Sequence, residues 1–364
     1  MAVRICDNRG LTLTRRSDVS RRSISGLGMC LVSAVMGGYA LTVHAQSIAV
    51  KTLTLPPDVI GIVWDGTRSR FFASSGTSVL MINPETAQIE DTIPVSGQAS
   101  QIAISDDGQY LYVALENTGM VNRYQVQSHS LDLSIALGQY PGGNVPRDAQ
   151  ALAVLPGHSS TILVATIDGQ EIVFDGTVPR AGTAALNVSS LYVRPSDGTI
   201  VGYSSASAQV CWLSVSPTGV TAARSAPVDP NWSSGTVIWN GNLVTNKNPF
   251  NSSVFDLNAG ATIGRIPLPA STGYPNGACA LATDSSGTSV ITYQYVFQYQ
   301  GNITNLVQYS LANLSPTASV GFTGLAQDYD SVSSVCNGLV ATRARTEYCS
   351  AAALRAFPSC TRQV

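Results

Sequence analysis

One pattern constrains this chain more than any other. A short apolar strand, a turn closing on glycine and a second apolar strand recur from residue 60 almost to the C-terminus. The instances begin with Ile60-Gly-Ile-Val-Trp-Asp-Gly66, Ile102-Ala-Ile-Ser-Asp-Asp-Gly108, Leu152-Ala-Val-Leu-Pro-Gly157 and Leu191-Tyr-Val-Arg-Pro-Ser-Asp-Gly198. They continue with Val237-Ile-Trp-Asn-Gly241, Leu281-Ala-Thr-Asp-Ser-Ser-Gly287 and Val332-Ser-Ser-Val-Cys-Asn-Gly338. Successive marker glycines lie 42, 49, 41, 43, 46 and 51 residues apart. A tight hairpin needs residues that accept positive φ, and glycine does so without steric cost. A period of this length is the mark of a repeat architecture, in which each unit buries its apolar faces against its neighbours.

Each period holds more than one hairpin. Gln109-Tyr-Leu-Tyr-Val113, Thr161-Ile-Leu-Val-Ala165 and Asn242-Leu-Val-Thr245 follow their turns as second strands. Two further strands then flank a polar turn, as in Val79-Leu-Met-Ile-Asn-Pro-Glu-Thr86 followed by 89–95. Val254-Phe-Asp-Leu257 with 262–268, and Val307-Gln-Tyr-Ser-Leu311 with 318–322, repeat that arrangement. Four strands in about 45 residues describe a propeller blade. Seven blades need about 315 residues at that period, and residues 46–364 offer 319. A β-sandwich would use far fewer strands; six or eight blades are the near alternatives. The fold expected is therefore all-β, a seven-bladed β-propeller of four-stranded blades. The ring must close, because an open propeller leaves sheet edges exposed. Ile48-Ala-Val-Lys-Thr-Leu-Thr-Leu55 alternates like a strand and is expected to be the outermost strand of the seventh blade. Composition agrees: charged residues are only 12% of the chain, with 32 glycines and 18 prolines, as suits short strands and tight turns.

Residues 1–45 are a different kind of sequence. Six arginines (Arg4, Arg9, Arg15, Arg16, Arg21, Arg22) precede an apolar, Gly-containing stretch over 24–43, and Val43-His44-Ala45 supplies short residues before Gln46. These are the parts of a secretory signal, and Ser20-Arg21-Arg22-Ser23-Ile24 partly matches a twin-arginine leader. The other reading of this stretch is an uncleaved anchor. The domains expected are a signal peptide, 1–45, and a propeller, 46–364, in a secreted or periplasmic protein with no span in its mature form. Six of the 20 basic and two of the 22 acidic residues lie in the leader, which leaves 14 and 20, a mature charge near −6. A mildly acidic surface excludes nucleic acid and anionic membranes as partners. A protein or small-molecule partner and a monomeric state are expected.

Cys211, Cys279, Cys336, Cys349 and Cys360 remain after the leader. Export permits disulfides, and Cys349–Cys360 is the simplest pairing near the C-terminus; an odd count leaves at least one free thiol. Cys211 and Cys279 sit in apolar strand contexts and read as buried filler. No CxxC pair supports zinc.

Asp106-Asp-Gly-Gln-Tyr-Leu-Tyr-Val113, with Val79-Leu-Met-Ile-Asn-Pro-Glu-Thr86 before it, resembles the repeat of secreted bacterial YVTN-type β-propellers. Leu137-Gly138, then Asp148 and Leu152-Ala-Val-Leu-Pro-Gly157, also looks like a segment of that group. The similarity spans 46–364 and is strongest before residue 200; Asn240-Gly241 and Asn337-Gly338 depart from the longer turn. The resemblance implies an exported seven-bladed protein, often surface-associated, and implies no reaction.

Propellers place ligands at the mouth of the central channel, on the loops leading into each innermost strand. Asp58, Ser100, Ala149, Ser190, Ser233, Gly277 and Asp330 share one offset from the seven turns, and Asp148 adjoins Ala149. Asp58, Asp148 and Asp330 could ring a hard cation such as Ca²⁺, or they could cap turns by accepting backbone N–H bonds. Longer loops, Tyr140-Pro-Gly-Gly-Asn-Val-Pro-Arg-Asp148 and Pro227-Val-Asp-Pro-Asn-Trp232, extend the same face. Arg147, Trp232 and Tyr274 are loop side chains of the kind that anchor ligands, or that pack beneath the loop. No Gly-x-Ser-x-Gly, His-Glu-x-x-His or phosphate loop is present. His129 and His158 fall at turns remote from the channel mouth. The function expected is non-enzymatic binding or scaffolding through the loop faces, with no cofactor. The alternatives are a metal-dependent enzyme at the channel mouth and a structural envelope component.

Overall fold

The computed structural model describes residues 2–7, 49–56, 58–229, 237–240, 243–246, 253–267, 276–283, 288–296, 303–321, 340–341 and 351–354. It is all-β, built of four-stranded antiparallel sheets. Six of them are meanders in which each strand pairs with the next in sequence, covering 59–94, 99–136, 149–179, 190–227, 237–265 and 276–321. Each opens on an innermost strand, as Val59–Asp65, Ala99–Ile104, Ala149–Leu155 and Ser190–Val193 do. These four innermost strands pack side by side in chain order.

Alternation explains the packing. Successive side chains on a strand point to opposite faces, so each second strand serves two interfaces at once. In Tyr110–Leu115, Leu111 and Val113 join Phe72, Val79 and Ile93 of the sheet before. Tyr112 and Ala114 join Ile162, Val164 and Phe174 of the sheet after. The same division recurs down the chain. Leu163 and Val173 meet Ile200, Cys211 and Leu213, Tyr203 and Trp212 meet Val244 and Phe255, and Val254 meets Val290 and Val307. Phe72, Tyr112, Phe174, Tyr203 and Phe255 are fully buried, each stabilising by about 1.5–3 kcal/mol through area removed from water. The outermost strands pack on one side only, and Gln88–Pro94 is exposed at all but one position. Cys211 is buried, and among the described residues it is a free thiol.

The remaining sheet joins both ends of the chain. Its order runs Ala49–Thr54, Ala2–Asp7, Ala351–Leu354, Val340–Ala341. Ala49–Thr54 is an edge strand of this sheet, but it is separated from the C-terminal strands by Ala2–Asp7 rather than paired with them as expected for Ile48–Leu55. It pairs with Ala2–Asp7 along six positions, from Ala2–Thr54 to Asp7–Ala49. Sequence reading assigned Ala2–Asp7 to the leader; Val3 and Ile5 alternate with Arg4 and Cys6, the two-residue period a strand requires. Just beyond the edge strand, Leu55 is buried among Phe71, Ala73, Leu80 and Ile82 of the first meander.

The third sheet departs from four full strands. Its outermost strand is only Val178–Pro179, because Pro179 has no N–H to extend the ladder. The segment 180–188 takes over the edge. Arg180 N donates to Val173 O, and Glu171 exchanges backbone bonds with Ala184. Gly182 then bridges in parallel to Gly219 of the fourth sheet: Gly182 N donates to Thr218 O at 2.6 Å and Val220 N to Gly182 O at 3.2 Å. Gly219, at φ 149°, lies so close to Gly182 that a Cβ would overlap its carbonyl.

Candidate functional site

The loops that precede the innermost strands and the turns between second and third strands lie at the same end of each sheet, here called the upper face. Hydrogen bonds cross between neighbouring sheets at that end. Asp148, in the loop before Ala149–Leu155, accepts from Asn117 N at 2.8 Å and Gly119 N at 3.1 Å, both in the turn of the preceding sheet. Asn117 holds φ at 58°, a left-handed conformation that Asn tolerates. Two backbone donors per carboxylate make Asp148 a turn cap of the charge-assisted kind. Asp58 is exposed and accepts from the Ser75 hydroxyl at 2.8 Å, over the turn of its own sheet.

Ser100 lies inside the fold. Its hydroxyl donates to Ala114 O at 3.2 Å, and its carbonyl accepts from Ser74 Oγ at 2.6 Å, which in turn accepts from Gly61 N. The Ser100 hydroxyl thus joins two strands of its own sheet. Its carbonyl, through Ser74 and Gly61, ties the first sheet to the second. Ser233, Trp232, Tyr274 and Asp330 fall outside the described residues, as do Cys349 and Cys360. Among the described residues no group of three or more His, Cys, Asp or Glu converges as a metal ion requires. Of the two described aspartates of the expected trio, Asp148 accepts two backbone N–H bonds of a turn, while Asp58 accepts only from the Ser75 hydroxyl.

Arg147 reaches Asp168, in the turn after His158–Thr166, with Nε to Oδ2 at 2.9 Å; Thr166 Oγ1 donates to the other oxygen. This pair fixes the base of the 137–148 loop. The loop is a hairpin-like excursion: Arg147 N donates to Gly138 O, Tyr140 N to Val145 O and Gly143 N to Tyr140 O. Val145 at its tip is 60% exposed, and Ile167 beside Asp168 is 57% exposed. Desolvation, then the carboxylates of Asp168 and Asp148, raises the Tyr140 phenol above its usual range. Sequence reading named Arg147 and Asp148 but missed Asp168 and Ile167. The one signal for them was an isoleucine standing directly before an Asp-Gly turn.

The opposite, lower face is knit by ion pairs. Asp65 is buried and accepts from Thr67 N and Arg68, and Arg68 Nη1 also donates to Gly108 O at 2.6 Å in the next sheet. Asp106 accepts from Gly157 N at 2.8 Å one sheet further on. Arg70–Glu90, Arg123–Asp132, Arg180–Asp175 and Arg194–Asp197 are paired at this end. Arg180 holds the Asp175 carboxyl down to about 2. A cavity of ≈ 320 Å³ lies here, lined by Asp106, Asp107, Gly157 and Ser159. His129 and His158 also sit at lower-face turns, and His129 Nε2 is 3.4 Å from Asp91.

No family model and no curated protein matches the sequence. Solved structures do resemble the fold. The structure of U3-55K is similar at a TM-score of 0.50 and 13% identity, over 81% of this chain and 95% of that one. That likeness concerns the fold alone. The WD40 repeats of RRP9 reach a TM-score of 0.49 at 14% identity, covering 82% of this chain and 94% of that one. A chain of the Mitotic Checkpoint Complex reaches 0.48 at 16%, covering 74% and 78%. Among the described residues no helix is long and apolar enough to cross a membrane.

Proposed function

We propose that the chain is an exported seven-bladed propeller of the YVTN type that binds a partner through its loop faces and carries out no reaction of its own. One observation carries this reading. Among the described residues, the upper-face groups named as candidates for chemistry are committed: Asp148 to two turn amides, Ser100 to its own sheet, Arg147 to Asp168. What is left presented there is shape, a braced loop with exposed apolar side chains. Rigid sheets with a variable loop face suit recognition.

The blade count and closure have two supports. Val340–Ala341 packs against Val59–Asp65, and Leu55 enters the core of the first meander. The arginine-rich leader supports export. Removal of 1–45 would take Ala2–Asp7 out of the sheet and leave Ala49–Thr54 to pair with Ala351–Leu354.

The test is metal content and melting of the purified protein, with EDTA and then Ca²⁺ added back. Absence of stoichiometric metal and an unchanged melting temperature are expected. Bound metal with a reversible loss of several degrees would instead favour a cation site drawing on Asp58, Asp148 and Asp330. N-terminal sequencing of the exported protein should begin near Gln46; recovery of Met1 outside the cytoplasm would overturn cleavage.

A further inference from the structure

Ala2–Asp7 falls within the arginine-rich leader, yet it is an inner strand of the sheet that joins both ends of the chain. It pairs on one side with Ala49–Thr54, from Ala2–Thr54 to Asp7–Ala49. On the other side it pairs with Ala351–Leu354, from Ala2–Leu354 to Arg4–Ala352. Over Ala2–Arg4 the strand is therefore held from both edges, which an outer strand is not.

These pairings fix where the rest of the leader departs and returns. Asp7 stands opposite Ala49, and opposed residues of an antiparallel pair lie about 5 Å apart. Residues 8–48 thus leave the sheet and re-enter it at one point. They contain Arg9, Arg15, Arg16, Arg21 and Arg22, then the stretch 24–43, which has no charged residue. As a helix that stretch would measure about 30 Å, the thickness of a bilayer's hydrocarbon core. Insertion would therefore set Arg22 on one side of a membrane and His44 on the other. The chain before Arg22 cannot cross back to Ala49, because arginines are costly in hydrocarbon and an extended backbone finds no hydrogen-bond partners there. Pairing of Ala2–Asp7 and membrane crossing by 24–43 exclude each other.

We infer that Ala2–Asp7 is an autoinhibitory strand: while it is paired with Ala49–Thr54 and Ala351–Leu354 the leader cannot enter a membrane, and entry requires its release. The inference rests on the leader reading of 1–45 and adds a control to it. A precursor that folds completely ties its own leader to the propeller. Insertion then has to precede closure of this last sheet, or has to break it. Because the two states exclude each other, whatever shifts the pairing equilibrium shifts insertion in the opposite sense.

Cys6 supplies the test. It stands opposite Val50, at a separation that a disulfide spans. In the folded full-length chain carrying Val50→Cys, diamide should join that position to Cys6, as read by peptide mapping. The oxidised chain should show at least about tenfold less carbonate-resistant association with phosphatidylethanolamine–phosphatidylglycerol vesicles than the same chain reduced. Adding Cys6→Ser should abolish that difference. Val3→Pro combined with Ile5→Pro removes two ladder donors without touching 8–48, and should raise insertion at least about tenfold above the unsubstituted chain. Failure of the bond to form, equal insertion of the oxidised and reduced chains, or no gain in the proline variant overturns the strand's role and leaves the leader reading standing. No insertion by any form, with the bond formed, would sink the leader reading and the inhibitory strand together.

Discussion

Gly108 holds φ at 68°, and a Cβ there would run into Thr67 Oγ1 and the guanidinium of Arg68 from the neighbouring sheet. The marker glycine thus does two jobs, one in its own turn and one at the seam. Gly108→Ala should cost about 2 kcal/mol, from left-handed strain plus displacement of the Asp65–Arg68 pair; a urea melt measures it. Asp175 and Glu171, at opposite ends of one strand, show opposite pH signs. Arg180 depresses Asp175 to about 2, so its contribution is present above the unfolded carboxylate range near pH 4 and is lost as pH falls through about 2. Half exposed and screened, it is worth under about 1 kcal/mol, and Asp175→Asn should lower stability at pH 7 but not at pH 2. Glu171 is fully buried with no arginine beside it, and burial raises its carboxyl although Val188 N and Leu186 N donate to it. Its folded form favours the proton, so stability falls as pH rises from about 4.5 through the raised value. Glu171→Ala would still be harmful, costing about 2–4 kcal/mol by orphaning two buried N–H groups.

At the scale of elements, the hairpin turns hold their neighbours' loops. Asp148→Ala should release the turn at 117–119 and cost about 1–2 kcal/mol, with Asp148→Asn recovering only part, since an amide offers one acceptor for two donors. Hydrogen exchange of the Asn117 and Gly119 amides would report the release directly. Such elements differ in how plainly the sequence announced them. The strands of the first two sheets were legible because apolar alternation and Asp-Gly turns coincide, as in Ser105–Val113. The outer edge of the third sheet was not. Its 180–188 segment has no alternation, and its bonds to Val173, Thr218 and the Glu171 main chain leave no trace in residue type, while the Glu171 carboxylate that caps Leu186 and Val188 lies 15 and 17 residues back. The site was legible in half. Proximity in sequence marked Arg147 and Asp148 as loop residues, but their roles depend on Asp168, 21 residues on, and on amides 29 and 31 residues back. Spacing of that kind becomes meaningful only when the strands have paired.

At the scale of the whole molecule, neighbouring sheets share their cores, so damage to one interface should travel. Removing the leader is the sharpest trial of closure. A chain beginning at Gln46 should melt within a few degrees of the full-length protein if Ala49–Thr54 can pair with Ala351–Leu354, and far below it if Ala2–Asp7 is needed. Circular dichroism on both forms decides. The parallel bridge between Gly182 and Gly219 has its own consequence, in the order of unfolding. Among the described residues the sheets meet mainly through side chains, which can part while each sheet keeps its own ladder; the first and second add one backbone bond, Ala99 N to Gly76 O. The third and fourth sheets are joined in addition by backbone bonds through Thr218, Gly182 and Val220, so neither can open at that edge without the other. These amides should exchange with solvent together, as one cooperative unit. Under pulling force or partial denaturation, the pair would behave as a single double-width block, the last local seam to tear.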